Sequence, residues 1–170
     1  MGDSDAFDVF YRGTVQRLTR YAYGLTGDLP EAQDLVHEAY ARSWQRWRQV
    51  SRYDDAESWL RRVVTHLATD NWRRRQVRRA ASAAERPAPP VEPPGEDVLV
   101  LVAALRTLPA PMRRALALHY LLDRSIADIA NETGASIGTV KSWLSRGRTA
   151  LASAISADLD EMTTGGSDAR

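Results

Sequence analysis

The stretch "SIADIANETGASIGTVKSWLSRGRTAL", Ser125 to Leu151, predicts two short helices joined by a tight turn. Ser125 stands at an N-cap position with Asp128 three residues on, the spacing of a capping box. Ile126, Ile129 and Ala130 then face inward, and Gly134 falls where the turn needs a positive φ angle. Ser136 is expected to cap the second helix, which is expected to bury Ile137, Val140, Leu144 and Leu151. Its other face carries Thr139, Lys141, Ser142, Ser145, Arg146 and Arg148. Lys and Arg donate to guanine edges or phosphates, and serine hydroxyls bond to either. A plain amphipathic surface helix is the alternative. The capped pair, with glycine in the turn and small polar residues outward, favours a DNA-reading helix-turn-helix.

Such a module needs only a few dozen residues, and the chain has 170. That length allows one medium domain or two small ones. With 44% hydrophobic and 26% charged residues the composition is that of a soluble globular protein. The absence of cysteine excludes a disulfide scaffold and a thiolate zinc site, and fits a reducing cytosol. No apolar run approaches a membrane span, and "MGDSDAFD" does not read as a signal peptide, so no membrane insertion is expected. The net charge of +1 conceals a basic excess in residues 1–79 and in residues 98–155, offset by acidic segments between and after them.

"AASAAERPAPPVEPPGED", residues 80–97, holds five of the eight prolines between two apolar-periodic blocks and reads as a linker. The expected organisation is therefore all-α: a helical domain over residues 1–79, the linker, a second small helical domain over 98–157, and a disordered acidic tail over 158–170. In the first block Phe7, Phe10, Tyr11, Thr14, Leu18, Tyr21, Ala22 and Leu25 recur at helical steps. Gly27 should end that helix and Asp28 cap the next, with Pro30 in the first turn and Glu31 at the capping-box position. The second helix should bury a stripe from Ala32 through Trp44 to Trp47, and the third, from about Asp55 to Arg79, should bury Trp59, Leu60, Val63, Val64 and Leu67, with Trp72 next on the same face. "DVLVLVAALRTL" and "MRRALALHYLLD", separated by a proline break, supply two helices ahead of the helix-turn-helix.

Two further surfaces carry chemistry. Four of the five tryptophans, with Tyr53 in a loop and the run "RRRQVRR" (Arg73 to Arg79), lie close together in the sequence. Aromatics beside Arg suit a single strand, since an unstacked base lies on a ring while guanidinium groups hold phosphates. Trp44 and Trp59 fall on apolar stripes and read as core instead. The outer face of the second helix, with Gln33, Asp34, His37, Glu38, Arg42 and Gln45, is too acidic to lie on phosphates and is either plain surface or a protein-docking face. The three histidines share no metal-ligand spacing, and neither a phosphate loop nor a nucleophile elbow is present. An enzyme, a cofactor and a metal are not expected.

In this order the features resemble the extracytoplasmic-function (ECF) sigma factors, the minimal two-domain members of the sigma-70 family, and within them the actinobacterial SigE-like group. "GDLPEAQDLVHEAYARSWQRW" is similar to region 2.2, "ESWLRRVVTHLATDNWRRRQ" to region 2.4, and "LRTLPAPMRRALALHYLLDRSIADIANETGASIGTVKSWLSRGRTAL" to region 4. The resemblance implies promoter-specific transcription initiation with core RNA polymerase and promoter DNA as partners. It implies that Asp34, His37 and Glu38 dock on the β′ clamp, and that Tyr53, His66, Thr69, Asp70, Arg73 and Arg74 meet the −10 element as it opens. It also implies that region 4 sits on the β flap, with Thr139, Lys141, Ser142, Ser145 and Arg146 at the −35 element, and that an anti-sigma factor could hold the two domains. Three positions depart from the family pattern: His37 stands for a common Gln, His66 for a common Asn, and Trp143 for a frequent Arg.

Overall fold

The computed structural model describes residues 2–79 and 95–164. Among them are eight helices and no strands. The chain divides into two compact units, Met1–Glu92 and Pro93–Arg170.

The first unit holds α1 (Asp3–Thr26), α2 (Leu29–Gln45), the single turn α3 (Trp47–Val50) and α4 (Ala56–Arg79). α1 stops at Gly27, whose φ of 68° lets its N–H reach back to the Tyr23 carbonyl at 2.8 Å. Asp28 caps α2 by accepting from the Glu31 N–H at 2.9 Å. The expected return bond is replaced: the Asp28 N–H donates to Thr26 Oγ1 at 3.3 Å, and the Glu31 carboxylate turns instead to Arg75, 2.8 Å away on α4. The core is built from Leu18, Tyr21 and Ala22 of α1, Leu35, Val36 and Ala39 of α2, Trp47 and Val50 of α3, and Leu60 and Val64 of α4. Two buried hydroxyl contacts cross it. Tyr21 Oη lies 2.9 Å from Thr65 Oγ1, and Tyr40 Oη lies 2.6 Å from Thr14 Oγ1.

The aromatic stripe of α2 divides differently from the expectation. Trp44 is 48% exposed, while Trp47 is buried. The α2 helix ends at Gln45, so Trp47 starts a new turn and swings under Phe7 and Phe10, with ring centroids 5.1 and 5.2 Å away. Trp44 is left at the rim, edge-on to Phe7 at 5.0 Å.

The second unit holds α5 (Glu96–Arg106), α6 (Ala110–Leu122), α7 (Ile126–Thr133) and α8 (Ile137–Thr164). α5 begins two residues inside the stretch expected as linker; residues 80–94 of that stretch lie outside the described residues. Val102, Leu105, Leu108, Leu116, Leu118, Ile129, Val140, Leu144 and Leu151 close one core. Arg113 folds back to donate to the carbonyls of Leu105 (3.1 Å), Arg106 (3.4 Å) and Leu108 (2.9 Å), so it closes the C-terminal end of α5. Burial there, with Arg106 nearby, pulls the Arg113 guanidinium below its ordinary value.

Two expectations fail in α8. The tail from 158 is helical through Thr164, because no Pro or Gly interrupts the chain before Gly165; residues 165–170 lie outside the described residues. Ile137 is 51% exposed instead of buried. It is the first residue of the helix, and helical side chains lean toward the N-terminus, so it leans off the end of the packed stripe.

Candidate functional site

The turn of the helix-turn-helix and the caps of its two helices form where the sequence predicts. Ser125 and Asp128 exchange both bonds of a capping box, at 3.1 and 3.3 Å. Gly134 adopts φ 74° and ends α7. Ser136 Oγ accepts from the Thr139 N–H at 3.1 Å and lies 2.8 Å from Thr139 Oγ1. Lys141, Ser145, Arg146 and Arg148 are exposed and Ser142 is half-buried. Spacing places Ile137, Lys141 and Ser145 on one strip and Gly138, Ser142 and Arg146 on the adjacent one. Val140, Leu144 and Leu151 on the opposite side anchor the helix. Gly147 is buried there too: a Cβ at that position would run into Leu116 of α6 and sit 3.2 Å from Met112 Cγ.

In the first unit Asp34, His37 and Glu38 are all exposed on α2, as their spacing predicts. Glu38 is engaged within its own helix by Arg42, Oε1 to Nε at 2.7 Å. A shallow groove of about 270 Å³ runs between α2 and α4, lined by Asp34, Leu35, Glu38, Arg42, Leu67, Asp70, Asn71 and Arg74. The fold thus brings Asp70 and Arg74, grouped by sequence with the −10 residues, beside the acidic face of α2. His66, Thr69 and Arg73 are exposed and, at helical spacing, form a separate strip of α4. The Thr69 hydroxyl donates to its own helix at Thr65 O, 2.9 Å.

Tyr53 is 39% exposed in the loop between α3 and α4. The residues that hold this loop are ones the sequence reading passed over. Asp55 accepts from the Ser58 N–H at 2.8 Å, and its other oxygen lies 3.4 Å from Arg61. Arg61 is only 2% exposed, and also lies 3.5 Å from Glu57. Glu57 in turn takes Arg17 of α1 at 2.8 and 3.3 Å. The hydrogen bond and charge of Glu57 raise the Arg17 guanidinium above its ordinary value. The four-residue step from Glu57 to Arg61 was the available signal, masked by the surrounding run of arginines.

The run "RRRQVRR" is likewise not uniform. Arg73 and Arg74 are exposed, whereas Arg75 is held by Glu31. Burial raises the Glu31 carboxyl above its ordinary value, with Arg75 and a hydrogen bond from Asn71 opposing that shift. Trp72 is 59% exposed. Among the described residues no cluster of His, Cys, Asp or Glu has metal-binding geometry, and no helix is long and apolar enough to cross a membrane.

Known families match both units. Sigma-70 region 2 matches residues 10–78, and sigma-70 region 4 matches residues 99–151. The RNA polymerase sigma-E factor of Streptomyces coelicolor is 32% identical over 86% of this chain and 84% of its own length. The ECF RNA polymerase sigma factor SigE of Mycolicibacterium smegmatis is 32% identical over 86% of this chain, which spans 60% of that relative. Among solved structures, the sigma factor RpoE of Bartonella quintana, crystallised with the anti-sigma factor NepR, superposes with a TM-score of 0.73 at 24% identity, covering 90% of this chain and 98% of that one. The Bartonella protein therefore shares the helical fold of this chain. The chain belongs to the ECF group of the sigma-70 family of RNA polymerase sigma factors. Promoter-specific transcription initiation is the activity that membership carries.

Proposed function

We propose that the two units divide initiation between them. Residues 1–79 form the polymerase-binding and −10 unit, residues 80–97 the connection, and residues 98–157 the −35 unit. On the acidic strip of α2, Asp34, His37 and Glu38 dock on the β′ clamp of core polymerase. Tyr53, braced from below by Asp55 and Arg61, takes an unstacked −10 base, and His66, Thr69 and Arg73 track the opened strand. Asp70 and Arg74 border the docking groove and serve both surfaces. In the second unit Thr139, Lys141, Ser142, Ser145 and Arg146 read the −35 duplex while that unit rests on the β flap.

The observation that carries this reading is the exposed strip of α8, basic and hydroxyl-bearing, on a helix whose other side is locked by Val140, Leu144 and Gly147. Each phosphate contact adds a salt slope near 0.9, and one recognition helix offers about two to four such contacts. Binding of the free chain to promoters is therefore weak near physiological salt, and polymerase supplies the affinity by fixing both units on one duplex. The protein works in the cytoplasm, as a specificity subunit with no catalysis of its own. The solved RpoE bound to the anti-sigma factor NepR supports a comparable inhibitor as a further partner.

Reconstituted transcription tests the reading. Core polymerase free of other sigma factors, mixed with the chain and with DNA from upstream of its own gene, should yield a discrete start that charge reversal at Glu38 abolishes. Failure of the chain to co-elute with core polymerase would overturn it.

A further inference from the structure

We infer that Ile137 is a sequence-reading residue, whose side chain packs on the 5-methyl group of one thymine in the −35 duplex. The inference rests on α8 being the −35 helix and adds to it the base that one apolar side chain selects.

Three observations carry it. First, Ile137 is 51% exposed, whereas Val140 and Leu144 on the same helix are buried. The fold therefore leaves about half of this apolar side chain uncovered. Second, its position is the first residue of α8, and in helix-turn-helix proteins the N-terminal residues of the second helix are those that contact base edges in the major groove. Lys141 and Ser145 follow it on the same strip, so the apolar group stands at the head of a row of donors.

The third observation is its neighbour. Gly138 is exposed, has no positive φ, and a Cβ there would meet only Ser136 Oγ, at 3.9 Å. Nothing among the described residues requires glycine at that point, and glycine is a poor helix former. A bare backbone beside an exposed isoleucine suits close approach by another molecule.

The chemistry then selects the ligand. Among the four bases only thymine presents a methyl group in the major groove, and apolar side chains are its natural contact. Lys141 and Arg146 supply contacts to guanine or phosphate, and neither distinguishes thymine by its methyl group.

The test uses the full chain assembled with core polymerase, as wild type, Ile137→Ala and Ile137→Val. Each holoenzyme selects −35 sequences from a randomised library with a fixed −10 region. Wild type should enrich thymine, on either strand, at one position where Ile137→Ala shows no preference. Deoxyuridine at that position removes only the methyl group. It should weaken the wild-type holoenzyme about fourfold, the effect of exposing one methyl-sized group, and leave Ile137→Ala unaffected. Ile137→Val should keep part of the preference. Equal enrichment by wild type and Ile137→Ala, or equal loss from deoxyuridine in both, would overturn the inference. A wild-type holoenzyme that selects no −35 sequence at all would remove the reading beneath it, and the inference with it.

Discussion

Nη2 of Arg61 on α4 lies 3.4 Å from Oδ2 of Asp55, the residue that caps the same helix and ends the Tyr53 loop. A nearly buried guanidinium thus fixes an exposed loop from underneath. Arg61 is the buried member of the pair, while Asp55 is nearly half exposed and Glu57 keeps Arg17, so the main cost of truncating Arg61 is the space left by a large buried side chain. Arg61→Ala should therefore destabilise the first unit by about 3 kcal/mol in urea titration followed by circular dichroism. Asp55→Ala should cost about 1 kcal/mol, the value of a lost cap. Its larger effect should be functional: polymerase binding retained, but permanganate reactivity of promoter thymines reduced as Tyr53 loses its brace.

Tyr40 supplies a pH-dependent element. The Thr14 hydroxyl donates its one proton to the Phe10 carbonyl at 2.7 Å, so across the 2.6 Å contact Tyr40 must be the donor. Burial pushes the phenol up to about 12 from the model-compound value of 10.0. The folded state thus holds the proton more tightly than the unfolded chain. The contribution is complete below pH 10 and is lost as pH rises from there through about 12. Tyr40→Phe should cost about 1 kcal/mol at pH 8. The gap in urea midpoint between wild type and variant should narrow by pH 11.5.

Gly147→Ala sets two effects against each other. Alanine is the better helix former by about 1 kcal/mol. Overpacking a filled core costs about 1–3 kcal/mol, and here the new methyl meets Leu116, fully buried in α6. Overpacking should win. The second unit should lose stability, and α8 should shift from α6 far enough to weaken −35 discrimination. An unchanged or raised unfolding midpoint would show that Leu116 has room to move.

The groove shared by α2 and α4 makes a distinction between adjacent arginines. Arg73 lies on the outer strip of α4, while Arg74 lines the groove with Asp34 and Glu38. Arg73→Ala should reduce promoter opening and spare co-elution with core polymerase. Arg74→Ala should alter co-elution as well. Arg146→Ala should leave both intact and lose about 1–3 kcal/mol of discrimination at one −35 base pair. Identical defects in all three variants would contradict separate docking and reading surfaces.

Much of the architecture was legible from local chemistry. The Ser125–Asp128 capping box, the left-handed glycines at 27 and 134, and the inward stripe of α1 through Thr14, Leu18, Tyr21 and Ala22 are each decided within about one helical turn. The apolar residues left exposed share one cause. Periodicity assigns a residue to a face, and burial depends on whether another helix reaches that far along the face. Ile137 and Trp44 both fall on apolar stripes by spacing, and both lie in the terminal turn of their own helix, where about half of each side chain stays exposed. The tail was read as disordered from its acidic composition, yet up to Thr164 it contains no helix breaker.

The sequence alone determined which segments are helices, where most of them begin and end, and which faces are apolar or basic, since these follow from contacts between residues three and four apart. Tertiary structure decided what each face meets. It buried Arg61 beneath the Tyr53 loop, tied Arg75 to Glu31, set Asp70 and Arg74 beside the acidic strip of α2, and left Ile137 in the open. The Glu31–Arg75 pair and the α2–α4 groove join residues of different helices. They form only when helix packing brings the groups within reach, and no local propensity encodes that distance.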